Sequence, residues 1–361
     1  MRRALRLLAA QAMILSKLIR GLVALPLFAS ACGGDAAPTE GVAADADDVV
    51  TGEGDNGKED STFASEPGIR VVVTVDWEGT DLSSANLAAM EAFRTQFPKV
   101  PLVQFLNAAY YTKAGASAAA VTRSIRRAVR AGDELGLHIH GWKRLFEAAD
   151  VTFRAEPTFW GSPLDASECL TDCGHEVAIS SYSRAELRKV IDYSIATLQR
   201  NGFGHATSFR AGGWMAGATV RGALLDSGLT VDHSAVPSSP LSGELRGLPL
   251  LDWVKTLWPR TSATTQPYSI AVGSGSLVEI PDNGALADYV TTAEMVAVFD
   301  SAVTAYKHDR SHAQVVSIGF HQETAADYAS RVQRALVTIA SHARTAKVAV
   351  HYVTSAGAIA P

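Results

Sequence analysis

The chain has 361 residues, of which 47% are hydrophobic and 7% aromatic. This length and composition predict a globular protein with a large buried core, and they exclude a fibrous or wholly disordered chain. The formal net charge is −5, and no basic region is extensive enough to indicate nucleic-acid binding.

Most of the charge lies in the first 68 residues. Residues 1–31 contain five basic residues and no acid, whereas residues 32–68 contain ten acids and one lysine. The rest of the chain is close to neutral. The acidity therefore belongs to an N-terminal segment and gives no information about a substrate.

The N-terminus has the pattern of an export signal. A basic region ends at Arg20, and the apolar run that follows, 21–31, is too short to span a bilayer. The small residues before Cys32 resemble a bacterial lipobox, in which the cysteine is lipidated. We therefore predict a lipoprotein-type signal peptide over 1–31 and a lipid on Cys32. This lipid would be the protein's only attachment to the membrane of the bacterial cell envelope. Plain secretion is the alternative.

Residues 32–68 are rich in glycine, alanine and acids and poor in large apolar residues, which predicts an acidic, disordered linker. Two further cysteines, Cys169 and Cys173, lie four positions apart. In an exported protein this pair favours a disulfide. A metal site built from both cysteines and His175 is the alternative.

From Ile69 the chain alternates between strands and helices. The β-branched run 69–76 predicts a buried parallel strand. Two capping boxes, at Ser183 and Thr291, predict helix starts. Further strands are predicted near 101–106, 135–140, 205–210, 229–233, 277–280, 315–320 and 348–352, with inserted loops at 144–182 and 235–273.

Seven or eight strand–helix repeats without a second core favour one fold class. We predict an α/β protein in which residues 69–361 form a single distorted (β/α) barrel of seven or eight strands with inserted loops. A doubly wound open sheet is the alternative.

Polar residues gather where the predicted strands end, and in a parallel barrel these carboxyl ends share one face of the molecule. His138 and His140 alternate with Ile139, so their side chains lie on one face of a strand. Two neutral imidazoles on one face can hold a single metal ion. The other polar strand ends carry Asp76 with Glu78, Arg210, Asp232 with His233, and His321.

Four of these strand ends resemble the motifs of the polysaccharide deacetylases, carbohydrate esterase family four, and they occur in the family's order. The matching segments are Val73-Thr74-Val75-Asp76, Asp133-Glu134-Leu135-Gly136-Leu137-His138-Ile139-His140, Phe209-Arg210-Ala211-Gly212-Gly213-Trp214 and Ile318-Gly319-Phe320-His321. The chain departs from the family at two places. Trp77 follows Asp76 where the family has a second aspartate, and the two metal histidines are closer together in sequence.

The resemblance implies a metal-dependent hydrolase that removes N-acetyl or O-acetyl groups from a cell-envelope or extracellular carbohydrate. The implied metal is a divalent ion, with zinc expected. His138 and His140 would be ligands, with Glu78 or Asp76 supplying oxygen. Asp76 would also be the base that deprotonates water, held in place by Arg210.

The same resemblance assigns His321 as the group that protonates the leaving amine or alcohol, with Asp232 orienting it. Trp77, Trp142 and Trp214 would offer flat faces to sugar rings. We expect a monomer with a carbohydrate substrate.

Two other functions remain open at this point. A glycoside hydrolase could use Asp76 and Glu78 as its pair of carboxyl groups. A catalytically inactive, glycan-binding lipoprotein would keep the pocket without the chemistry. Sensitivity to a chelator separates a metal-dependent deacetylase from both.

Overall fold

The computed structural model describes residues 67–164, 169 and 171–360. The predicted signal peptide, Cys32 and the linker up to residue 66 lie outside the described residues. Within those residues, no helix is both long and apolar enough to cross a membrane.

The first strand, β1 (Ile69–Asp76), is hydrogen-bonded to strands on both of its edges and is buried on both faces. Val71, Val73 and Val75 belong to a large core shared with the surrounding helices. Val72, which points the other way, belongs to a second and smaller apolar cluster. This burial on both faces explains why the strand is almost continuously apolar.

Among the described residues, nine strands form one sheet in the order β6-β7-β5-β4-β3-β2-β1-β8, and β9 also pairs with β1. All neighbours are parallel except β6 and β7, which form an antiparallel hairpin. The remaining strands are β2 (Leu102–Leu106), β3 (Glu134–Ile139), β4 (Ser208–Ala211), β5 (Val231–Asp232), β6 (Tyr268–Val272), β7 (Gly275–Glu279), β8 (Gln314–His321) and β9 (Val350–Tyr352). The consecutive order β5 to β1 confirms the distorted (β/α) barrel and argues against a doubly wound sheet.

The barrel is completed by an irregular segment rather than by a strand. After β7, residues 283–287 run along the outer edge of β8, and we call this contact the seam. Gly284 N–H donates to Ser317 O at 2.8 Å, and Ala287 N–H donates to Gly319 O at 2.8 Å. The side chain of Asn283 donates to Val315 O and accepts from Ser317 N–H, so it takes the place of a strand's backbone.

Ten α-helices occur in the described part of the chain. They are α1 (Ser84–Gln96), α2 (Ala118–Arg126), α3 (Lys143–Ala148), α4 (Arg184–Arg200), α5 (Ala218–Asp226), α6 (Ser238–Leu241), α7 (Pro249–Leu257), α8 (Thr292–His308), α9 (Ala325–Ala346) and α10 (Ser355–Ala358). Both predicted capping boxes are present, at the starts of α4 and α8.

One region is more regular than the sequence predicts. Residues 235–273 contain α6, α7 and β6 instead of a continuous loop. The strand β6 lies at the edge of the sheet and is mostly exposed, so it lacks the apolar pattern of a buried strand. Helix α7 is only nine residues long and begins with Pro249 at its first turn.

The predicted insertion at 144–182 begins in α3 and then follows an irregular path. Cys169 and Cys173 are joined in a disulfide. Because both sulfurs are bonded to each other, they cannot form the alternative metal site with His175. The insertion returns to the barrel where Lys143 N–H donates to Cys173 O at 2.8 Å.

Candidate metal centre and active site

Glu78 is the centre of the polar cluster at the carboxyl end of the barrel. Its Oε1 atom lies 3.1 Å from His138 Nε2, and its Oε2 atom lies 2.8 Å from His140 Nε2. A third imidazole, His175, places Nε2 at 2.5 Å from the same Oε2. His321 Nε2 is 3.5 Å from Oε1. Four histidines therefore surround one carboxylate.

The other ring nitrogens identify the tautomers of the strand histidines. His138 Nδ1 lies 2.8 Å from Arg210 O, and His140 Nδ1 lies 2.7 Å from His175 O. A carbonyl oxygen only accepts, so each Nδ1 carries the proton and donates it. In a neutral ring the Nε2 atom then presents a lone pair towards the oxygens of Glu78, and two lone-pair donors repel each other.

A cation between these atoms would convert that repulsion into coordination. Glu78, His138 and His140 place one ligand atom each within 4.8 Å of one another. Two imidazoles fixed by backbone carbonyls, together with one carboxylate, form a donor set of the zinc type. The residues present therefore fit a divalent metal of that kind. Asp76, Glu78 and His321 form a second group of similar compactness.

The glycines of the Arg-Ala-Gly-Gly-Trp motif make room for this centre. A Cβ atom on Gly212 would lie 2.7 Å from the ring of His140. Gly213 has a φ of +60°, and a Cβ atom there would lie 2.6 Å from the ring of Phe159. Both positions require glycine because the ligand ring and the pocket wall approach the backbone closely.

The electrostatics of the cluster favour an ionised Glu78. Burial alone would raise the pKa of Glu78, but when the rings carry protons on Nε2, the charges of His140 and His321 and the hydrogen bond from His138 hold it well below its usual value. Burial lowers the pKa of His175 to about 4, with His140 adding to the effect, so this ring is neutral at pH 7.

Asp76 lies beside the metal centre and is held by a buried arginine. Arg210 Nη1 is 3.0 Å from Asp76 Oδ1, and the same nitrogen donates to Thr74 Oγ1 at 3.0 Å. On its other side, Arg210 Nη2 is 3.4 Å from Asp282 Oδ1. The guanidinium therefore links two carboxylates and keeps Asp76 in a fixed orientation.

His321 faces the pocket from the end of β8. Its Nδ1 atom lies 2.9 Å from Asp288 Oδ2. Burial lowers the pKa of His321, but Asp288 and Glu78 outweigh this effect and raise it to about 10. The residue that orients His321 is therefore Asp288, and the prediction that Asp232 does so is wrong.

Asp232 instead belongs to a separate pair of buried acids. It accepts from Ser234 Oγ at 2.5 Å and faces Glu279. Burial raises the pKa of Asp232 to about 6, and burial together with Asp232 raises the pKa of Glu279 well above its usual value. One oxygen of each residue, Asp232 Oδ2 and Glu279 Oε2, has no hydrogen-bond donor. A proton shared between the two carboxyls would satisfy both oxygens.

The three predicted sugar platforms have different positions. Trp77 is fully buried in the core and donates to Gln104, so it presents no face to a sugar. The indole of Trp142 donates to the carbonyl oxygen of Glu78 at 2.8 Å, and Lys113 covers its ring at 3.7 Å. Trp142 therefore supports Glu78 and is not a free platform. Trp214 lines the pocket.

The pocket above the metal centre has a volume of about 260 Å³. It combines the polar cluster with an aromatic wall, whose outermost member, Trp160, is 44% exposed. The lining includes Asp76, Glu78, Thr80, His138, His140, Phe159, Trp160, His175, Trp214, Leu250, Asp288, Tyr289, His321 and Glu323.

Sequence reasoning missed four polar residues at this site. His175, Asp282 and Asp288 lie on irregular segments, where no periodic pattern indicates the direction of a side chain. Glu323 accepts from the backbone N–H groups of Glu78 and Thr80, at 3.0 and 3.1 Å. Its position two residues after His321 was the available signal, although Gln322–Thr324 form a 3-10 helix and not a continuation of β8.

No family model matches the sequence, and no curated protein matches it. Among solved structures, the chain is similar to a family 4 carbohydrate esterase from Streptomyces lividans, with 13% identity and a TM-score of 0.37, over 77% of this chain and 91% of that one. It is similar to the chitin deacetylase of Colletotrichum lindemuthianum, with 12% identity and a TM-score of 0.42, over 82% and 90%. It is also similar to the allantoinase PuuE, with 13% identity and a TM-score of 0.46, over 80% and 88%.

Proposed function

We propose that this protein is a metal-dependent hydrolase that removes N-acetyl or O-acetyl groups from a carbohydrate. The observation that carries the proposal is the convergence of Glu78, His138 and His140 on one point of the pocket wall. Both histidines have backbone acceptors at Nδ1 and so direct lone pairs to that point. Asp76 and His321 line the same pocket.

A zinc ion held by Glu78, His138 and His140 would supply Lewis acidity, which polarises an acyl carbonyl and makes water more acidic. The same three residues, together with Trp142 and Glu323 behind Glu78, would fix the place at which the acyl group is presented. Trp142 bonds the carbonyl of Glu78, and Glu323 bonds its N–H.

Asp76 would accept a proton from the attacking water. Its Oδ1 atom is committed to Arg210, so the carboxylate cannot rotate freely. Once Asp76 has removed a proton from the water molecule, the water oxygen is nucleophilic and adds to the acyl carbon.

His321 would complete the reaction by donating a proton to the leaving amine or alcohol. Asp288 accepts from Nδ1 and thereby turns Nε2 towards the pocket and Glu78. A protonated Nε2 suits this role because an amine or alkoxide leaves more readily when it receives a proton. The products are acetate and the free amino or hydroxyl group on the sugar.

The shape of the pocket supports a substrate that is only partly enclosed. A volume of about 260 Å³ is smaller than the pockets that enclose drug-sized ligands. It accommodates an acyl group and part of one sugar ring. Phe159, Trp160 and Trp214 form the aromatic side of the pocket, and apolar ring faces are suited to stacking on sugars.

We propose further that the substrate is a glycan of the bacterial cell envelope or its surroundings. The support is the predicted signal peptide and lipidated Cys32, together with a disulfide, which is typical of exported proteins. We also propose that the metal is zinc, that Cys32 carries the lipid and that the protein is a monomer.

The surroundings of the two candidate acids disfavour a glycoside hydrolase. Such an enzyme needs one carboxyl group that holds a proton near neutral pH. Glu78 is kept ionised by its histidines, and Asp76 is paired with a buried arginine. Glu78 is therefore not in the protonated state that a general acid requires, and the carboxylate of Asp76 is engaged by the guanidinium of Arg210.

Metal analysis combined with acetate release tests the proposal. The purified protein should contain one equivalent of zinc and release acetate from an acetylated oligosaccharide, and a chelator should abolish this activity. His138→Ala should lose both the zinc and the activity while the fold survives, as checked by circular dichroism. Acetate release from metal-free His138→Ala would refute the mechanism. Zinc without activity on any acetylated glycan would instead support the non-catalytic binding protein.

A further inference from the structure

His175 reaches Glu78 from the insertion rather than from a barrel strand. Its Nε2 atom is 2.5 Å from Glu78 Oε2, the same oxygen that lies 2.8 Å from His140 Nε2. The rings of His175 and His140 are stacked, with centroids 4.0 Å apart and planes at 12°. The two imidazoles therefore meet at a single oxygen of the metal centre.

The position of His175 is built into the fold. Gly174 and Gly141 pack against each other, because a Cβ atom on Gly174 would lie 2.5 Å from Gly141 O and one on Gly141 would lie 2.9 Å from Gly174 O. Gly174 also has a φ of +97°, which disfavours any side chain. Any larger residue at either position would separate the insertion from the end of β3.

Further contacts fix the segment that carries His175. The carbonyl oxygen of His175 accepts from His140 Nδ1 at 2.7 Å. Cys173 O accepts from Lys143 N–H, and the disulfide closes the loop immediately before it. A side chain held this firmly loses little conformational entropy on binding a ligand.

We propose that His175 is a further ligand of the metal held by Glu78, His138 and His140. The inference rests on the proposed function, because it requires a metal at this centre. Three imidazoles and one carboxylate favour zinc, cobalt or nickel over magnesium or calcium, which prefer oxygen ligands. Zinc accepts a fifth ligand in catalytic sites, so four protein groups still leave a position for the substrate.

This ligand differs from the two strand histidines in its access to solvent. The side chain of His175 is 32% exposed, whereas those of His138 and His140 are 2% and 3% exposed. His175 is therefore the ligand nearest the entrance of the pocket. The insertion becomes part of the metal centre, and it supplies the nitrogen that the barrel motifs do not.

The competing arrangement is an outer role, in which His175 Nε2–H donates to Glu78 and never touches the metal. Two substitutions separate these roles. His175→Ala removes both the lone pair and the donor. His175→Gln keeps an amide N–H that can donate to Glu78, but it removes the imidazole. Glutamine can take over the role of an outer hydrogen-bond donor to Glu78, but it cannot supply the imidazole nitrogen that a metal ligand provides.

The experiment is a metal titration of the full-length protein. Wild type and both variants are stripped of metal and titrated with Co²⁺, which is followed by visible absorption, and then with Zn²⁺ in competition with a chelating indicator. We expect both variants to bind more than about 100-fold more weakly, because the loss of a ligand should cost more than the roughly 10–100-fold loss that follows an outer-shell change. We also expect the cobalt absorption bands of both variants to shift, because the donor set changes. His205→Ala, which removes an exposed imidazole outside the pocket, should match wild type.

Wild-type affinity and an unchanged cobalt spectrum in the folded His175→Ala protein would overturn this inference while leaving the metal centre intact. If His175→Gln kept the wild-type affinity and cobalt spectrum while His175→Ala bound metal more weakly, His175 would have the outer role. This result would also overturn the inference. Failure of the wild-type protein to bind cobalt or zinc would overturn both this inference and the proposed function. Circular dichroism of each variant checks the fold.

Discussion

Glu78 and the pair Asp232–Glu279 are buried carboxyl groups at the same end of the barrel, yet their pKa values move in opposite directions. Four histidines surround Glu78, and three of them, His140, His321 and His138, hold its pKa well below the usual value. Asp232 and Glu279 face each other, and Arg221 only partly offsets the burial that raises both pKa values. A carboxyl group at the end of a barrel strand is therefore not necessarily part of the active site. The neighbouring charges decide whether a buried carboxyl group is an anion available to a ligand or a protonated part of the interior.

The largest test of this contrast is a matched pair of glutamate-to-glutamine substitutions. Glu78→Gln removes an anionic ligand, so we expect loss of stoichiometric zinc and a fall in acetate release of about 10³-fold or more. Glu279→Gln changes the same chemical group outside the pocket and should retain both metal and activity. Zinc content and acetate release are measured on both proteins. Equal losses in the two variants would contradict the contrast.

A second substitution separates the base from the metal ligands. Asp76→Asn keeps the size of the side chain and its contact with Arg210 but cannot accept a proton. We expect kcat to fall by about 10²–10⁴-fold while zinc content stays at one equivalent. Loss of the zinc together with the activity would show that Asp76 serves mainly as a ligand.

A smaller effect is expected at Asp288, which touches His321 and not the metal centre. Asp288→Asn weakens the hold on Nδ1, so Nε2 is less well directed and kcat should fall by about 10–100-fold. KM and zinc content should change little, because Asp288 holds neither the metal nor the acyl group. A rise in KM with kcat unchanged would argue for a binding role instead.

The smallest expected effect concerns stability and pH. In the unfolded chain both acids ionise near pH 4, whereas in the folded protein the pKa of Asp232 is about 6 and that of Glu279 is also raised. Between about pH 4 and pH 6 and above, the folded state holds more protons than the unfolded state, and its stability falls as the pH rises. Glu279→Gln removes one titrating group and so reduces the difference in bound protons between the folded and unfolded states. Relative to wild type, its Tm should therefore rise with pH.

Thermal unfolding at fixed ionic strength from pH 4 to pH 8 measures this effect. We expect no gain at pH 4 and a gain of about 2–4 °C at pH 8, which corresponds to about 1 kcal/mol. A difference in Tm that stays constant across this range would show that the pair does not titrate as described.

The sequence predicts the barrel and much of its site because both depend on short-range patterns. Buried strands are β-branched, helix starts carry capping boxes, and alternation places His138 and His140 together. The same alternation argues against Trp77 as a platform, since Asp76 and Glu78 lie on either side of it and face the pocket.

The remaining errors have a different cause. Asp288 and His175 reach the site along irregular segments, whose path depends on tertiary contacts such as the packing of Gly141 on Gly174. Asp232 lies at the end of a predicted strand, as the other candidate residues do. Only the position of Glu279 across the neighbouring strand shows that it belongs elsewhere.

The seam determines the position of Asp288 relative to His321. Residues 283–287 attach to β8 through few hydrogen bonds, and the next residue along the chain is Asp288, the partner of His321 at the end of β8. The seam therefore also holds Asp288 within hydrogen-bonding distance of His321. Local opening there would separate Asp288 from His321 first, whereas His138 and His140, at the end of β3, would keep their positions.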